Sequence, residues 1–377
     1  MTAPRRITVL LPVLGLIVVA ICGLTLLALA TVRVGPLAVV IGMAAALVPV
    51  AAVVAVFLWI DRWEPEPAKL LRLAFVYGAC IAAILALLIN NTAEAVGDML
   101  LGRGNGGKIS ALVSAPLVEE AAKGSFVLAV FLRRSEEFDG IIDGIVYAGF
   151  TAAGFAFTEN IYYFGRAFAE YGFGGSTSNG VVAAFVLRGV LSPFTHPLFA
   201  ALTGVGFGLA ARATSRLAKV LAPIGGYLTA VLLHALWNGS ATLGGGKTFI
   251  TVYFLIMVPM FIAVALLVLL HRRREQRIIT AALPAMVKAR WIAPSEVELL
   301  SSLGGRRLWR RQARRQSGRP AAKAVAAYQG SVTALAFLKR RNGSADRAER
   351  ESELLVALRA SRAEAVRLAG GNRDHVG

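Results

Sequence analysis

The sequence predicts an all-α polytopic membrane protein of about eight transmembrane helices, followed by a basic helical tail. Three observations carry that prediction. Hydrophobic residues make up 56% of the 377 residues and charged residues 16%, where a soluble domain carries about 25% charge. Mean hydropathy is +0.65, and the apolar runs reach the roughly 20 residues that a helix needs to cross a bilayer. The charge is also segregated. Residues 271–377 hold 23 Lys+Arg against 9 Asp+Glu, most of the chain's net charge of +18. Residues 1–270 therefore read as a membrane domain and residues 271–377 as a cytosolic tail. A disordered chain and an ordinary soluble core are both excluded. Cys22 and Cys80 lie inside apolar runs, which excludes a secreted disulfide scaffold.

The spans follow in order. The first, 7–30, comes after Arg5 and Arg6 and ends on Ala28-Leu29-Ala30, which resembles a signal-peptide cleavage site. Its apolar stretch exceeds the roughly 7–15 residues of a signal core, so it reads as a retained anchor. The second is 35–60. The loop behind it, with Asp61, Arg62, Trp63, Glu64 and Pro65, reads as an interfacial turn with Trp59 and Trp63 in the aromatic belt. The third to fifth are 71–90, 109–132 and 140–165. The sixth, 181–211, is too long for one straight span, and Pro193 and Pro197 predict a kink or break. The seventh and eighth are 219–243 and 248–270. Glycine-rich stretches at 102–107, 172–175 and 244–246 read as outer loops and carry no phosphate-loop pattern. With the N-terminus inside, inner connections hold ten Lys/Arg and outer ones five, the asymmetry that sets orientation. Eight spans return the tail to the inside.

In the tail, segments near 294–303, 306–340 and 346–369 have helical composition, and Asn342-Gly343 marks a turn. Its basic excess suits anionic lipid headgroups, each surface Lys or Arg contributing about 1 kcal/mol. Docking of a regulator is the next option. Nucleic acid ranks below both, because the aromatics are few: Trp291, Trp309, Tyr328 and Phe337.

Ionisable residues inside spans are costly and are functional candidates by default. The fourth span carries Glu119, Glu120 and Lys123, the fifth Glu159, with Asp143 near its inner end. The sixth carries Arg188 and His196, the seventh His234 and Asn238. At about 1.5 Å per residue, Glu119 lies roughly 15 Å from the outer end of its span, Glu159 about 9 Å and His196 about 22 Å. On the same scale His234 and Asn238 lie about 14 and 8 Å deep. One shared cavity is geometrically allowed. Glu119 and Lys123, Phe155 and Glu159, and His234 and Asn238 are each four residues apart and share a helix face. Taken singly, each polar residue reads as a structural tie. Taken together they suit hydrolysis without a nucleophilic serine. Glutamate would activate water as general base, histidine would protonate the leaving amine, and Asn238 would donate to an oxyanion. Zinc is the rival within hydrolases, with Glu159, His196 and His234 as ligands. No H-E-x-x-H motif is present, and the choice between metal and glutamate alone stays open.

At these residues the chain resembles the PrsW family of intramembrane proteases. The family pattern is E-E-x-x-K, then F-x-x-x-E, then H, then H-x-x-x-N/D on successive helices. Here these are Glu119, Glu120 and Lys123; Phe155 and Glu159; His196; and His234 with Asn238. The match covers roughly residues 60–243. The resemblance implies cleavage of single-span membrane proteins, such as anti-sigma factors, in a bacterial cytoplasmic membrane. It also implies a catalytic core of Glu119, Glu120 and His234. Two other classes compete with an endopeptidase. A proton-coupled transporter would also use buried Glu and His, but would often show two related halves, and none is evident. A non-catalytic scaffold would act through its tail.

Overall fold

A computed structural model describes residues 5–134, 138–174, 179–338 and 347–370, and every regular element among them is helical. The chain divides into two compact units, one of residues 1–59 and 66–265, the other of 60–65 and 266–377.

The first unit is built on seven long helices and the first part, to residue 265, of an eighth. These are α1 (Arg5–Val34), α2 (Pro36–Ile60), α3 (Ala68–Leu101), α4 (106–133), α5 (Ile141–Tyr171), α6 (Gly180–Arg212), α7 (Arg216–Thr242) and α8 (Gly245–Lys288). Seven are long and apolar enough to cross a membrane. The eighth predicted span, 109–132, is helical as α4 but falls outside the seven. Its apolar pattern is interrupted by buried Glu119, Glu120 and Lys123. Several helices outrun the expected spans. α3 continues to Leu101 and α8 to Lys288, because the flanking residues (Asn, Glu, Arg, Gln) sustain a helix outside an apolar stretch. α6 breaks where expected: it is helical to Leu191, interrupted at Ser192, Pro193 and Phe194, and resumes over Thr195–Arg212.

α5 is the central element, with every residue from Ile141 to Phe155 buried. It packs on α3 and α6, and α6 packs in turn on α7. Small residues permit this approach, as is usual where lipid offers no hydrophobic drive between helices. A Cβ on Gly144 would collide with the Gly204 carbonyl, and one on Gly78 with the Thr151 carbonyl. Asp143 caps the start of α5, accepting from the Asp139 and Gly140 backbone N–H groups at 2.8 Å each.

Four helices carry π-turns: Tyr77–Ala82 in α3, Ser110–Ser114 in α4, Val186–Leu191 in α6 and Tyr253–Met257 in α8. Each releases backbone groups from the regular ladder, a distortion found often at functional sites.

The second unit has its own core. Ile279, Leu283 and Met286 from α8 meet Leu300, Tyr328, Val332, Leu335 and Leu358. The helices beyond α8 are α9 (Val297–Ser301), α10 (Leu303–Leu338) and α11 (Arg347–Gly370). α10 is kinked at Ser317 and Gly318. Gly318 has φ of 79°, which only glycine adopts cheaply, and Pro320 follows. Trp63 corrects an expectation: it does not lie in an interfacial belt but is buried in this core, because Ile60–Pro65 belongs to the second unit. The Arg306 guanidinium lies 5.0 Å from the Trp63 ring centroid and donates to Thr333 Oγ1 at 2.8 Å. Burial and the neighbouring Arg310 lower its pKa to about 10. The expected Asn342-Gly343 turn lies outside the described residues.

Candidate active site

Six of the seven residues singled out in the sequence converge on one cluster. α4 brings Glu119, Glu120 and Lys123 inward, all buried. Glu120 is fully enclosed. Its Oε1 accepts from Lys123 Nζ at 2.6 Å and from His234 Nδ1 at 2.9 Å. The i,i+3 spacing on α4 makes the first contact, and α7 packing on α4 makes the second. With Nδ1 donating to Glu120, the neutral imidazole of His234 presents Nε2 as a lone pair. That nitrogen lies 3.9 Å from Glu119 Oε2.

Glu119 is held differently. Its Oε1 accepts from Asn90 Nδ2 at 3.3 Å, and Asn90 Oδ1 in turn accepts from Ser114 Oγ at 2.7 Å. Its Oε2 is buried and has no hydrogen-bond partner. A buried carboxylate oxygen left alone is costly, and such an orphan marks a place for a water, an ion or a substrate group.

His196 joins the two carboxylate systems. Lys123 Nζ meets its Nδ1 at 3.4 Å, and its Nε2 donates to Glu159 Oε2 at 2.8 Å. Glu159 Oε2 also accepts from Arg188 Nη2 at 2.8 Å. Arg188 reaches further to Asn160 Oδ1 at 2.9 Å and lies 3.9 Å from the Tyr163 ring centroid. The rings of His196 and His234 stand nearly perpendicular, 5.6 Å apart. Phe199 stacks on His234 at 5.0 Å and Phe155 lies 5.5 Å from His196. These aromatic walls fix both imidazoles. Lys123 also sits 4.8 Å from the Phe155 ring centroid, so the phenylalanine of F-x-x-x-E stabilises the lysine of E-E-x-x-K.

A cavity of about 890 Å³ opens onto this cluster. Glu119, Glu159, His196, His234 and Asn238 line it, whereas Glu120 and Lys123 do not. That separates two adjacent glutamates which the sequence leaves equivalent. Glu119 faces the cavity, and Glu120 stands behind His234 and orients it.

Asn238 is the seventh residue. It lines the cavity, but its Nδ2 donates to the Ala111 carbonyl at 2.9 Å. That carbonyl lies in the π-turn of α4, so the amide ties α7 to α4 instead of pointing at an oxyanion position. Two participants are not singled out in the sequence: Asn90 and Asn160. Arg188 is a candidate there as an arginine inside a span, without an assigned catalytic role. Asn90 and Asn160 are neutral and look like ordinary ties.

The metal-competent group also differs from the expected one. Glu119, His196 and His234 offer ligand atoms all within 4.8 Å of one another. Glu159 drops out, because Arg188 and His196 share its Oε2. Two imidazoles and a carboxylate are a catalytic zinc donor set. Tetrahedral zinc would hold donors about 3.4 Å apart, so the three groups would draw in by roughly an ångström. The orphaned Glu119 Oε2 and the carboxylate of Glu120 behind His234 fit that use, the latter as the outer partner that orients a ligating imidazole. The residues therefore fit such an ion, with Lys123 yielding its longer bond to His196.

No solved structure matches the chain. Curated relatives do. Protease PrsW of Geobacillus kaustophilus is 30% identical over 168 residues, 45% of this chain and 66% of the relative. Protease PrsW of Oceanobacillus iheyensis is 35% identical over 130 residues, 34% of this chain and 53% of the relative. Protease PrsW of Clostridioides difficile is 31% identical over 149 residues, 38% and 55% of the two chains. The chain thus spans between about half and two thirds of the length of these relatives. The family model described as PrsW family intramembrane metalloprotease matches residues 66–264, a stretch that contains every side chain of the cluster. On that match, the chain belongs to the PrsW family.

Proposed function

We propose that the protein is an intramembrane endopeptidase that hydrolyses peptide bonds of membrane-protein substrates at the Glu119–His234 pair. The observation that carries this reading is Glu119 at the cavity wall, its Oε2 unpartnered and 3.9 Å from His234 Nε2; Glu120 Oε2 is unpartnered too, but Glu120 does not line the cavity. In this reading the nucleophile is a water that enters from the cavity and bridges the two groups, which takes a small outward turn of the Glu119 carboxylate. Glu119 takes a proton from that water, and the oxygen adds to the scissile carbonyl. The C–N bond then breaks as the amine receives the proton, from Glu119 directly or through His234. General acid–base transfer of this kind contributes about 10²–10⁴-fold. Glu120 holds the His234 tautomer, and Lys123 balances the Glu120 charge. Glu159 and Arg188 orient His196 across the cavity.

A zinc-class ion held by Glu119, His196 and His234 would polarise the carbonyl and supply hydroxide near neutral pH. In that case Glu120 still orients His234, and Glu159 still orients His196. The family description favours a metal, and the lone-pair geometry of Glu119 and His234 serves either chemistry.

The substrates are membrane proteins with one span, such as anti-sigma factors, by the family resemblance. The setting is a bacterial cytoplasmic membrane, with both termini inside, by the ten-to-five distribution of basic residues. The basic second unit binds anionic lipid headgroups, by its charge.

The test uses the full chain in liposomes with a panel of single-span peptides. Wild type, Glu119→Gln and His234→Ala are compared, each with and without a strong zinc chelator. Cleavage by wild type, lost in both variants, supports the reading. Equal cleavage by all three sinks it.

A further inference from the structure

A second cavity, of about 520 Å³, lies on the other side of the same carboxylates, between α1, α3 and α5. Its walls are mainly apolar: Leu26, Leu27, Ala83, Leu87, Phe155 and Ile161 among them. It meets the first cavity at Asn90, Glu94, Glu119, Glu159, Tyr163 and Arg166, which line both. Glu119 therefore stands between an apolar chamber and a more polar one.

The apolar chamber reaches the outer surface of the helix bundle. Leu27 on α1 and Met43 on α2, two of its walls, are exposed, as residues on a lipid-facing flank would be. One of its walls is the helix with least support. Only 6% of the apolar window of α1 is buried. α1 approaches α3 closely at Gly23, where an added Cβ would lie 3.2 Å from Cys80 Sγ in the π-turn. From that crossing to Arg33 the cavity runs along one side of α1.

Size and lining indicate the occupant. The volume suits a few side chains but not a whole helix, which is roughly 10 Å across. An unwound peptide in a membrane needs hydrogen-bond partners for its backbone. Asn90, Asn91, Tyr162 and Tyr163 line the chamber and can supply them. An acyl chain has no use for such groups.

We propose that this α1–α3–α5 chamber is the substrate docking site: an unwound apolar stretch of a transmembrane segment enters it sideways from the lipid and reaches Glu119, while water arrives through the polar cavity. This rests on the endopeptidase reading. The chamber takes the substrate's apolar side chains, and the six shared residues mark where peptide and water meet.

Two arms test it in liposomes with the full chain. The first follows cleavage of a single-span peptide and of a short water-soluble peptide, the latter entering by the polar cavity. Ala30→Trp and Leu87→Trp fill the chamber, and Leu24→Trp adds the same bulk to an exposed position of α1 that does not line it. The expected result is a tenfold or larger loss of single-span cleavage for Ala30→Trp and Leu87→Trp. Soluble-peptide cleavage stays within about twofold, and Leu24→Trp behaves as wild type. Unchanged single-span cleavage in the chamber variants overturns the proposal, and so does equal loss on both peptides.

The second arm needs no cleavage. A single-span peptide with one central cysteine is oxidised by copper–phenanthroline onto Cys80 in a Cys22→Ala, Glu120→Gln background. Capture should exceed that at a cysteine placed by Leu24→Cys in a Cys22→Ala, Cys80→Ala, Glu120→Gln background at least fivefold, and Leu87→Trp should abolish the excess. Capture no better than at the Leu24 control means a chamber filled by lipid, and ends the proposal. Capture with no Glu119-dependent cleavage leaves the docking site standing and removes the endopeptidase reading.

Discussion

Lys123 and Glu120 form an ion pair with 1% and 0% side-chain exposure and a 2.6 Å contact. Replacing Lys123 by Met leaves the Glu120 carboxylate enclosed with only His234 as a partner. At an effective dielectric constant of about 20 the lost attraction is about 6 kcal/mol. Part of that is offset, because the pair itself was costly to desolvate. Breaking a buried pair by removing one partner costs about 3–5 kcal/mol, and removing both charges costs far less. Lys123→Met should therefore destabilise the protein by about 3–5 kcal/mol. Lys123→Met with Glu120→Gln should recover most of it, for a coupling energy of about 3 kcal/mol. The assay is unfolding in mixed micelles of increasing SDS fraction, followed by tryptophan fluorescence, on wild type, both single variants and the double variant. Additivity within about 0.5 kcal/mol, the level expected of independent sites, would refute the enclosed pair and the positioning of His234 that depends on it.

Other outcomes follow from the same geometry. Glu119→Gln should lower the rate of peptide cleavage by about 10²–10⁴-fold, and Glu120→Gln by about 10–100-fold, as for an outer partner; the reverse order in a single-turnover assay would exchange their roles. If an ion is resident, chelator should abolish cleavage and zinc restore it, and His196→Ala should remove zinc measured on the purified protein by elemental analysis. Arg188→Lys keeps a charge for Glu159 but cannot keep the second contact to Asn160, so it should raise KM or lower kcat several-fold with the circular dichroism of the folded protein unchanged; wild-type kinetics would refute the role. In the second unit, Tyr328 donates to Glu296 Oε2 at 2.7 Å, and burial with that bond raises its pKa. An unfolded tyrosine ionises near pH 10, so this stabilisation is complete below about pH 10 and is lost as pH rises towards the folded value. Alkaline unfolding of the full chain should be shallower for Tyr328→Phe than for wild type.

The apolar runs alone determined most of the architecture. A bilayer admits backbone only as satisfied helix or barrel, so runs of this length and composition leave few alternatives, and the broken sixth span followed from Pro193. The order of E-E-x-x-K, F-x-x-x-E, H and H-x-x-x-N pointed to the site, because charges in spans are too costly to be incidental. Helix period alone could not distinguish Glu119 from Glu120. They are adjacent, differ by about 100° around the helix axis, and are both within reach of Lys123. Only the packing of α7 and α6 on α4 gave Glu120 to His234 and left Glu119 open to the cavity. The same packing exchanged Glu159 for Glu119 among the metal-competent groups, since Arg188, distant in sequence, occupies Glu159. It also turned Asn238 to the Ala111 carbonyl, in the π-turn of α4. Trp63 shows the same limit, a belt residue by local sequence and a core residue by long-range contact. Local chemistry sets which groups a helix carries and at what depth; which of them stay unpaired depends on neighbours that no short-range pattern encodes.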